Sequence, residues 1–303
     1  MPEPKLRRWV DRFLTHLRVS RNYSPQTLRA YESDLAHFAA AFPELEPAQV
    51  QRVQVRAYLA DLQGVSGLQR SSLLRRVSAL RSFLRFLRQE AVIAHDPFAA
   101  VPLPKRQKKL PRFLTEAEMK DLLAGAGKGL PCPERDRAIL ELLYSSGLRR
   151  SELSGLNVGD VDFFTGLARV FGKGSKERMV PVGDVALGCL RAYLATRRSD
   201  ASRGDRPLFA NARGGRLSGA GVAFVLKTWI RSAGWHKAVT PHMFRHSFAT
   251  HLLNSGCDLR SVQELLGHKK LETTQVYTHL SLEKIQSVYR KAHPRGAAAG
   301  ESP

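Results

Sequence analysis

The chain has 303 residues, 43% hydrophobic and 25% charged, a composition that supports packed cores and excludes global disorder. Lys and Arg total 48 against 27 Asp and Glu, giving a formal charge of +21, so a polyanionic partner is expected, nucleic acid before an anionic membrane surface. No apolar run of about 18 residues occurs and the N-terminus lacks the apolar stretch of a secretory signal, so a soluble, cytoplasmic protein without a membrane-spanning helix is expected.

In chain order, apolar residues recur at three- and four-residue intervals over Lys5–Leu17, Ser24–Ala41, Val50–Gln63 and Gln69–Glu90, which predicts four helices in a small bundle. Ser24 and Pro25 supply an N-cap and a proline at the first helical position. In the fourth helix Leu73, Leu74, Val77, Leu80, Leu84 and Leu87 line one side, while Arg81, Arg85 and Arg88 stripe another. Most charge stripes are solvated faces. This one contains only arginine, with no acidic neighbour to relieve self-repulsion, so DNA phosphates are the expected neutralising groups. From Asp96 to Pro111 the prolines Pro97, Pro102, Pro104 and Pro111 predict an extended linker. Its basic cluster, Lys105, Arg106, Lys108 and Lys109, is a second candidate for contact with a phosphate backbone. Charge is carried on both sides of this linker, with 19 basic and 9 acidic residues up to Leu110 and 29 and 18 beyond it. Two basic domains closing on one duplex would have this distribution.

A second domain begins near Phe113. Thr115 and Glu118 have capping-box spacing, and Arg135–Tyr144 reads as an amphipathic helix ended by Gly147. The period then changes: Leu167–Phe171 and Glu177–Val182 flank the glycine-containing turn Gly172-Lys-Gly-Ser, a β-hairpin pattern. From Leu187 the pattern is helical again, broken by a turn at Asn211–Gly215. A last helix, Ser281–Ala292, carries Leu282, Ile285, Val288 and Tyr289 on an apolar stripe. The ending GAAAGESP is expected to be frayed. Cys132, Cys189 and Cys257 are odd in number and form no CxxC pair, so neither disulfides nor a zinc ribbon are expected.

The chemistry is framed first by what is missing. There is no Walker loop, no acidic cluster with two-metal spacing and no GxSxG elbow. Phosphoryl transfer, if present, must rely on cationic side chains in place of magnesium. His242, His246 and His251 recur at helical intervals but lack the ligand set and support of a zinc site, so no metal is expected.

Four segments carry candidate cations in order: GLRRSEL (Gly147–Leu153), GKGSKERMVPV (Gly172–Val182), HMFRHSFATHLL (His242–Leu253) and LLGHKKLETTQVYTHL (Leu265–Leu280). Together with the helical first hundred residues and the linker, they closely resemble the tyrosine recombinases, the phage integrase family, and within it the bacterial Xer type. Phe244 and Glu272 depart from that pattern, where leucine and serine are expected.

The resemblance implies a mainly α fold. A SAM-like four-helix bundle (1–95) and the linker (96–111) precede an α+β catalytic domain with a small antiparallel sheet (112–295) and a disordered tail (296–303). It also implies a catalytic set of Arg149, Lys173, His242, Arg245, His268 and Tyr277. Tyr277 would be the nucleophile, leaving a 3′-phosphotyrosine. Because one ester replaces another, rejoining needs neither ATP nor another cofactor. Arg149 and Arg245 would stabilise charge on the non-bridging oxygens, with His268 as a further donor. His242 would manage the tyrosine proton, and Lys173 would protonate the leaving oxygen. Arg150 is expected to face solvent or DNA without a catalytic role. The implied partners are double-stranded DNA at a short dif-like site, a second Xer recombinase in a cyclic heterotetramer, and a septal DNA translocase. The implied task is resolution of chromosome dimers at cell division. In the family, the segment after the tyrosine packs into a neighbouring protomer. A phage or transposon integrase, a type IB topoisomerase and a non-catalytic architectural DNA-binding protein are the alternatives.

Overall fold

The computed structural model describes residues 5–21, 23–64, 68–99, 101, 113–125, 129–172, 177–197, 205–267 and 279–296. In sequence the chain divides after Lys109 into two units. Among the described residues the fold is mainly helical, as the hydrophobic periodicity predicts, with one three-stranded antiparallel sheet.

The first unit contains α1 (Arg7–Val19), α2 (Pro25–Ala41), a 3₁₀ turn (Pro47–Gln49), α3 (Arg52–Gly64) and α4 (Arg70–Gln89). The hydroxyl of Ser24 accepts from the Thr27 N–H at 3.2 Å, so the cap that starts α2 is the one its sequence encodes. Phe13 of α1 lies 5.6 Å from Phe83 and 5.4 Å from Phe86, ring centre to ring centre, which pins α1 on α4. Val77, Leu80, Leu84 and Leu87 are buried as the periodicity requires, whereas Leu73 and Leu74 near the helix start are half-buried. The buried carboxylate of Asp34 pairs with Arg75 and lies 3.8 Å from Arg76 on the first half of α4. Further along, Arg81, Arg85 and Arg88 are exposed and have no acidic partner among the described residues. The packed core continues past α4, because Phe98 and Val101 are buried in it.

The second unit is organised around α6 (Pro133–Ser146), which is buried on every side from Ala138 to Ser146. Before it stands α5 (Glu116–Ala124), opened by the Thr115–Glu118 capping box. After it come α7 (Arg150–Gly155), a 3₁₀ turn (Val158–Asp160), β1 (Val161–Asp162), β2 (Leu167–Phe171) and β3 (Glu177–Pro181). The hairpin has the predicted strands, paired from Leu167↔Pro181 to Phe171↔Glu177. α7 and β1 are too short to leave a readable period, and neither is visible in the sequence pattern. Helices α8 (Asp184–Thr196), α9 (Gly219–Ser232), α10 (Pro241–Asn254), α11 (Leu259–Leu266) and α12 (His279–Ala292) complete the unit. Trp229 on α9 is a core residue whose indole N–H donates to the Leu122 carbonyl at 2.9 Å.

The end of α12 packs on its own unit. Tyr289 is fully buried, with its hydroxyl 3.1 Å from that of Ser145 on α6, which in turn accepts the Gly183 N–H at 2.7 Å. His293 stacks on Tyr289 with ring centres 5.0 Å apart, and burial, then the nearby His251, push its imidazole down to about 3. Val288 is half-buried on this face, and the side chains of Leu282 and Ile285 lie outside the described residues. His251 bridges the Tyr144 hydroxyl and the Leu114 carbonyl, a structural role. No helix among the described residues is long and apolar enough to cross a membrane.

Gly147 closes α6 in the left-handed region at φ 57°, where an added Cβ would stand 2.6 Å from the Phe248 ring. Gly147→Ala should therefore destabilise the second unit by about 2 kcal/mol or more, from the left-handed strain plus overpacking. Thermal unfolding checks this, and an unchanged melting temperature would contradict it.

Candidate active site

The site is assembled where α6 gives way to α7. Arg149 occupies the N-cap position of α7 in extended conformation (φ −71°, ψ 149°). Its backbone N–H donates to Oε2 of Glu152 at 2.8 Å, and its Nη1 donates to Oε1 at 2.7 Å. One carboxylate three residues on thus orients both the backbone and the guanidinium of Arg149. A carboxylate in the first turn also suits the positive end of a helix.

The same carboxylate is held from β3. Arg178 donates through Nη1 to Oε1 at 3.0 Å and through Nη2 to Oε2 at 2.9 Å, a bidentate pair. The side chains of Glu152 and Arg178 are 3% and 7% exposed, while that of Arg149 is 38% exposed. Burial by itself would raise the Glu152 carboxyl. The hydrogen bonds and charge of Arg178, with those from Arg149, outweigh it and hold the group down to about 2.

Arg245 reaches the same place from α10, whose start is fixed by Pro241 and by Thr240, which accepts the Met243 N–H at 3.3 Å. It is buried, and its Nη1 donates to the Gly147 carbonyl at 2.8 Å while Nη2 donates to the Leu266 carbonyl. Those carbonyls end α6 and α11, where helix dipoles leave partial negative charge for a guanidinium. Burial, then repulsion from Arg149, push Arg245 down to about 10, with Glu152 opposing. Arg245 remains a cation at neutral pH. His242 lies one turn earlier on α10 and is exposed.

The structure therefore brings Arg149 and Arg245 together, with His242 on the helix that carries Arg245. Lys173, His268 and Tyr277 lie outside the described residues, as do Lys105, Arg106, Lys108 and Lys109. In sequence, β2 and β3 bracket Lys173, and α11 and α12 bracket both His268 and Tyr277. Arg150 is exposed beside Gly219. Glu152 and Arg178 stand within two of the four segments that carry the family resemblance, which implies no role for either. Two signals were present. Glu152 follows Arg149 at the N3 spacing of a helix start, and Arg178 shares its strand face with Val180 and Val182, which points a charge inward. Among the described residues no group of three or more His, Cys, Asp or Glu could hold a metal ion.

Comparison with known proteins decides what this arrangement belongs to. Residues 112–284 match the phage integrase family, and residues 10–91 match the phage integrase N-terminal SAM-like domain. The chain belongs to the phage integrase family of tyrosine recombinases. It is similar to the tyrosine recombinase XerC of Pelotomaculum thermopropionicum, 45% identical over 94% of this chain and 98% of that relative. The tyrosine recombinase XerC of Bacillus subtilis is 38% identical over 96% of this chain and 97% of its own length. The fold also matches the crystal structure of the XerH site-specific recombinase bound to its difH substrate, with TM-score 0.69, 23% identity, and 95% and 99% of the two chains covered. The enzyme is accordingly a site-specific DNA recombinase of Xer type.

The Glu152 result fixes an acid sensitivity in the recombinase. Its folded value is depressed, so the stability it lends is complete above its unfolded value of 4.5 and is lost as pH falls toward about 2. Glu152→Gln should flatten the fall in unfolding free energy across that window, measured by denaturant unfolding at successive pH values. A wild-type pH profile in the variant would contradict the assignment.

Proposed function

We propose that the recombinase cleaves one DNA strand with Tyr277, holds the end as a 3′-phosphotyrosine, and rejoins it to a new partner strand. The observation that carries this is a pair of guanidiniums from separate elements, Arg149 and Arg245, tethered beside each other with Arg149 left half-open. Like charges kept this close in a partly desolvated place need an anion to justify them, and a phosphate accumulating charge on its non-bridging oxygens is that anion. The reaction places Arg149 and Arg245 on those oxygens and His268 as a further donor. His242, on the open side of α10, exchanges the phenol proton, which a free value of about 10 otherwise retains. Lys173, which falls between β2 and β3 in sequence, protonates the leaving 5′-oxygen. No metal or nucleotide enters this scheme.

The likeness to XerC proteins supports a task in resolving chromosome dimers at cell division in the cytoplasm. It also supports action on a short dif-like duplex, beside a second, XerD-type recombinase in a cyclic tetramer and under a septal translocase. Both basic units contact the duplex. Arg81, Arg85 and Arg88, and the linker cations Lys105, Arg106, Lys108 and Lys109, meet its phosphates.

A nicked duplex carrying a site selected from random DNA by the wild-type protein tests the chemistry. Wild type should accumulate a covalent adduct, Tyr277→Phe should form none while still binding, and Arg149→Ala should lose about 10²–10³-fold in cleavage. An adduct formed by Tyr277→Phe would reassign the nucleophile, and site-independent relaxation of supercoiled plasmid would favour a topoisomerase.

Binding should also weaken steeply with salt, with a logarithmic slope near −0.9 per neutralised phosphate. Replacing Arg81, Arg85 and Arg88 together by Ala should lower the magnitude of that slope by about 2 to 3. An unchanged slope would remove the α4 stripe from the DNA contact.

A further inference from the structure

Arg178 is a guanidinium with 7% of its side chain exposed, and its hydrogen-bond partners among the described residues are Glu152 and Leu265. Its two terminal nitrogens are committed to Glu152, and its Nε points to the Leu265 carbonyl at 3.4 Å. It also packs against the turn that ends α11: a Cβ on Gly267, which sits at φ 64°, would lie 3.1 Å from the Arg178 Cδ and Nε. Arg178 thus touches the helix start that carries Arg149 and the helix end that leads to His268, from the strand that follows Lys173. At 7% exposure its side chain offers little surface to a phosphate.

Glu152 needs such a partner. Its carboxylate binds the Arg149 guanidinium at 2.7 Å, and a carboxylate that served Arg149 alone would cancel the charge the phosphate requires. Arg149 and Arg178 bind the one carboxylate, and Arg245, itself bonded to the Gly147 and Leu266 carbonyls, lies close enough to feel its charge. The three guanidiniums with Glu152 leave two positive charges at the site, whereas Arg149 and Arg245 with Glu152 would leave one. We propose that Arg178 is a positioning residue that supplies the counter-charge for Glu152, so that Glu152 orients Arg149 without neutralising it. The inference rests on the reading of Arg149 as a phosphate-binding residue given above.

The role predicts a dependence on phosphate charge that a purely structural residue would not show. The probe is the nicked duplex selected by the wild-type protein, made with an ordinary scissile phosphodiester or with a neutral methylphosphonate there. Single-turnover cleavage is measured on both, with DNA binding and thermal melting as controls. Arg178→Gln, which keeps a hydrogen bond to Glu152 but loses the charge, should slow phosphodiester cleavage roughly ten- to hundredfold, less than loss of a direct donor. Methylphosphonate cleavage, with less charge to stabilise, should fall by no more than about threefold. Arg178→Lys, which keeps the charge and loses the fork, should stay within about threefold of wild type on both DNAs.

Wild-type phosphodiester cleavage by Arg178→Gln, or an equal loss on the two DNAs, would overturn the inference. Should the glutamine variant fail to fold, Arg178→Lys decides: an equal loss of about tenfold or more on both DNAs would mark a structural part only. Arg149→Ala in the same assay separates the two readings. If it cleaves normally, the function proposed for Arg149 fails. If it is slow while the Arg178 variants behave as wild type, only the role of Arg178 fails.

Discussion

Two guanidiniums held side by side in a half-buried place repel each other, and the rest of the second unit depends on how that repulsion is contained. Glu152 contains it for Arg149 by taking both its backbone N–H and its side chain. Helix ends contain it for Arg245, through the carbonyls of Gly147 and Leu266. Neither solution is local. The carboxylate also requires Arg178 from the sheet, and the carbonyls require that α6 and α11 terminate at the same point. A buried ionic group of this kind adds little net stability, because desolvation offsets most of the attraction. Its value here is geometric: it keeps Arg149 oriented while Arg149 stays part-exposed.

The packing of α6 explains why these pieces can be brought together. A helix buried on all sides gives the unit a rigid axis, and Gly147 breaks that axis sharply enough for Arg149 to begin a new helix two residues later. The same axis holds the end of α12 through Ser145 and Tyr289. The family resemblance implies that the segment after the tyrosine packs into a neighbouring protomer, and in the single chain the last turns of α12 pack on their own unit. The polar contacts there are buried, so they are replaced at a cost unless equivalent partners are offered.

Much of this architecture is legible in the sequence because it rests on local rules. Ser24-Pro25, the Thr115–Glu118 box, Gly147 and the two hairpin strands each appear where capping, left-handed glycine and period-two alternation predict them. Arg149, Arg245 and His242 are legible only as a set, since Arg149 alone would pass for an ordinary ion-pair partner and an isolated HxxR pattern carries almost no information. What the sequence conceals is what depends on distant contacts. Arg178 and Glu152 are 26 positions apart, and nothing in either neighbourhood requires the other. α7 and β1 escape for a different reason, being shorter than the windows over which a period is defined.

In the proposed mechanism, cations scattered from α7 to α10 converge on one backbone phosphate within reach of one phenol. The most direct measurement is a structure of the Tyr277→Phe protein on the uncleaved duplex it selects. The guanidiniums of Arg149 and Arg245 should both be hydrogen-bonded to the same scissile phosphate, with the residue 277 ring in line behind it. The two arginines on different phosphates, or that ring turned away with no neighbouring subunit supplying its equivalent, would contradict it.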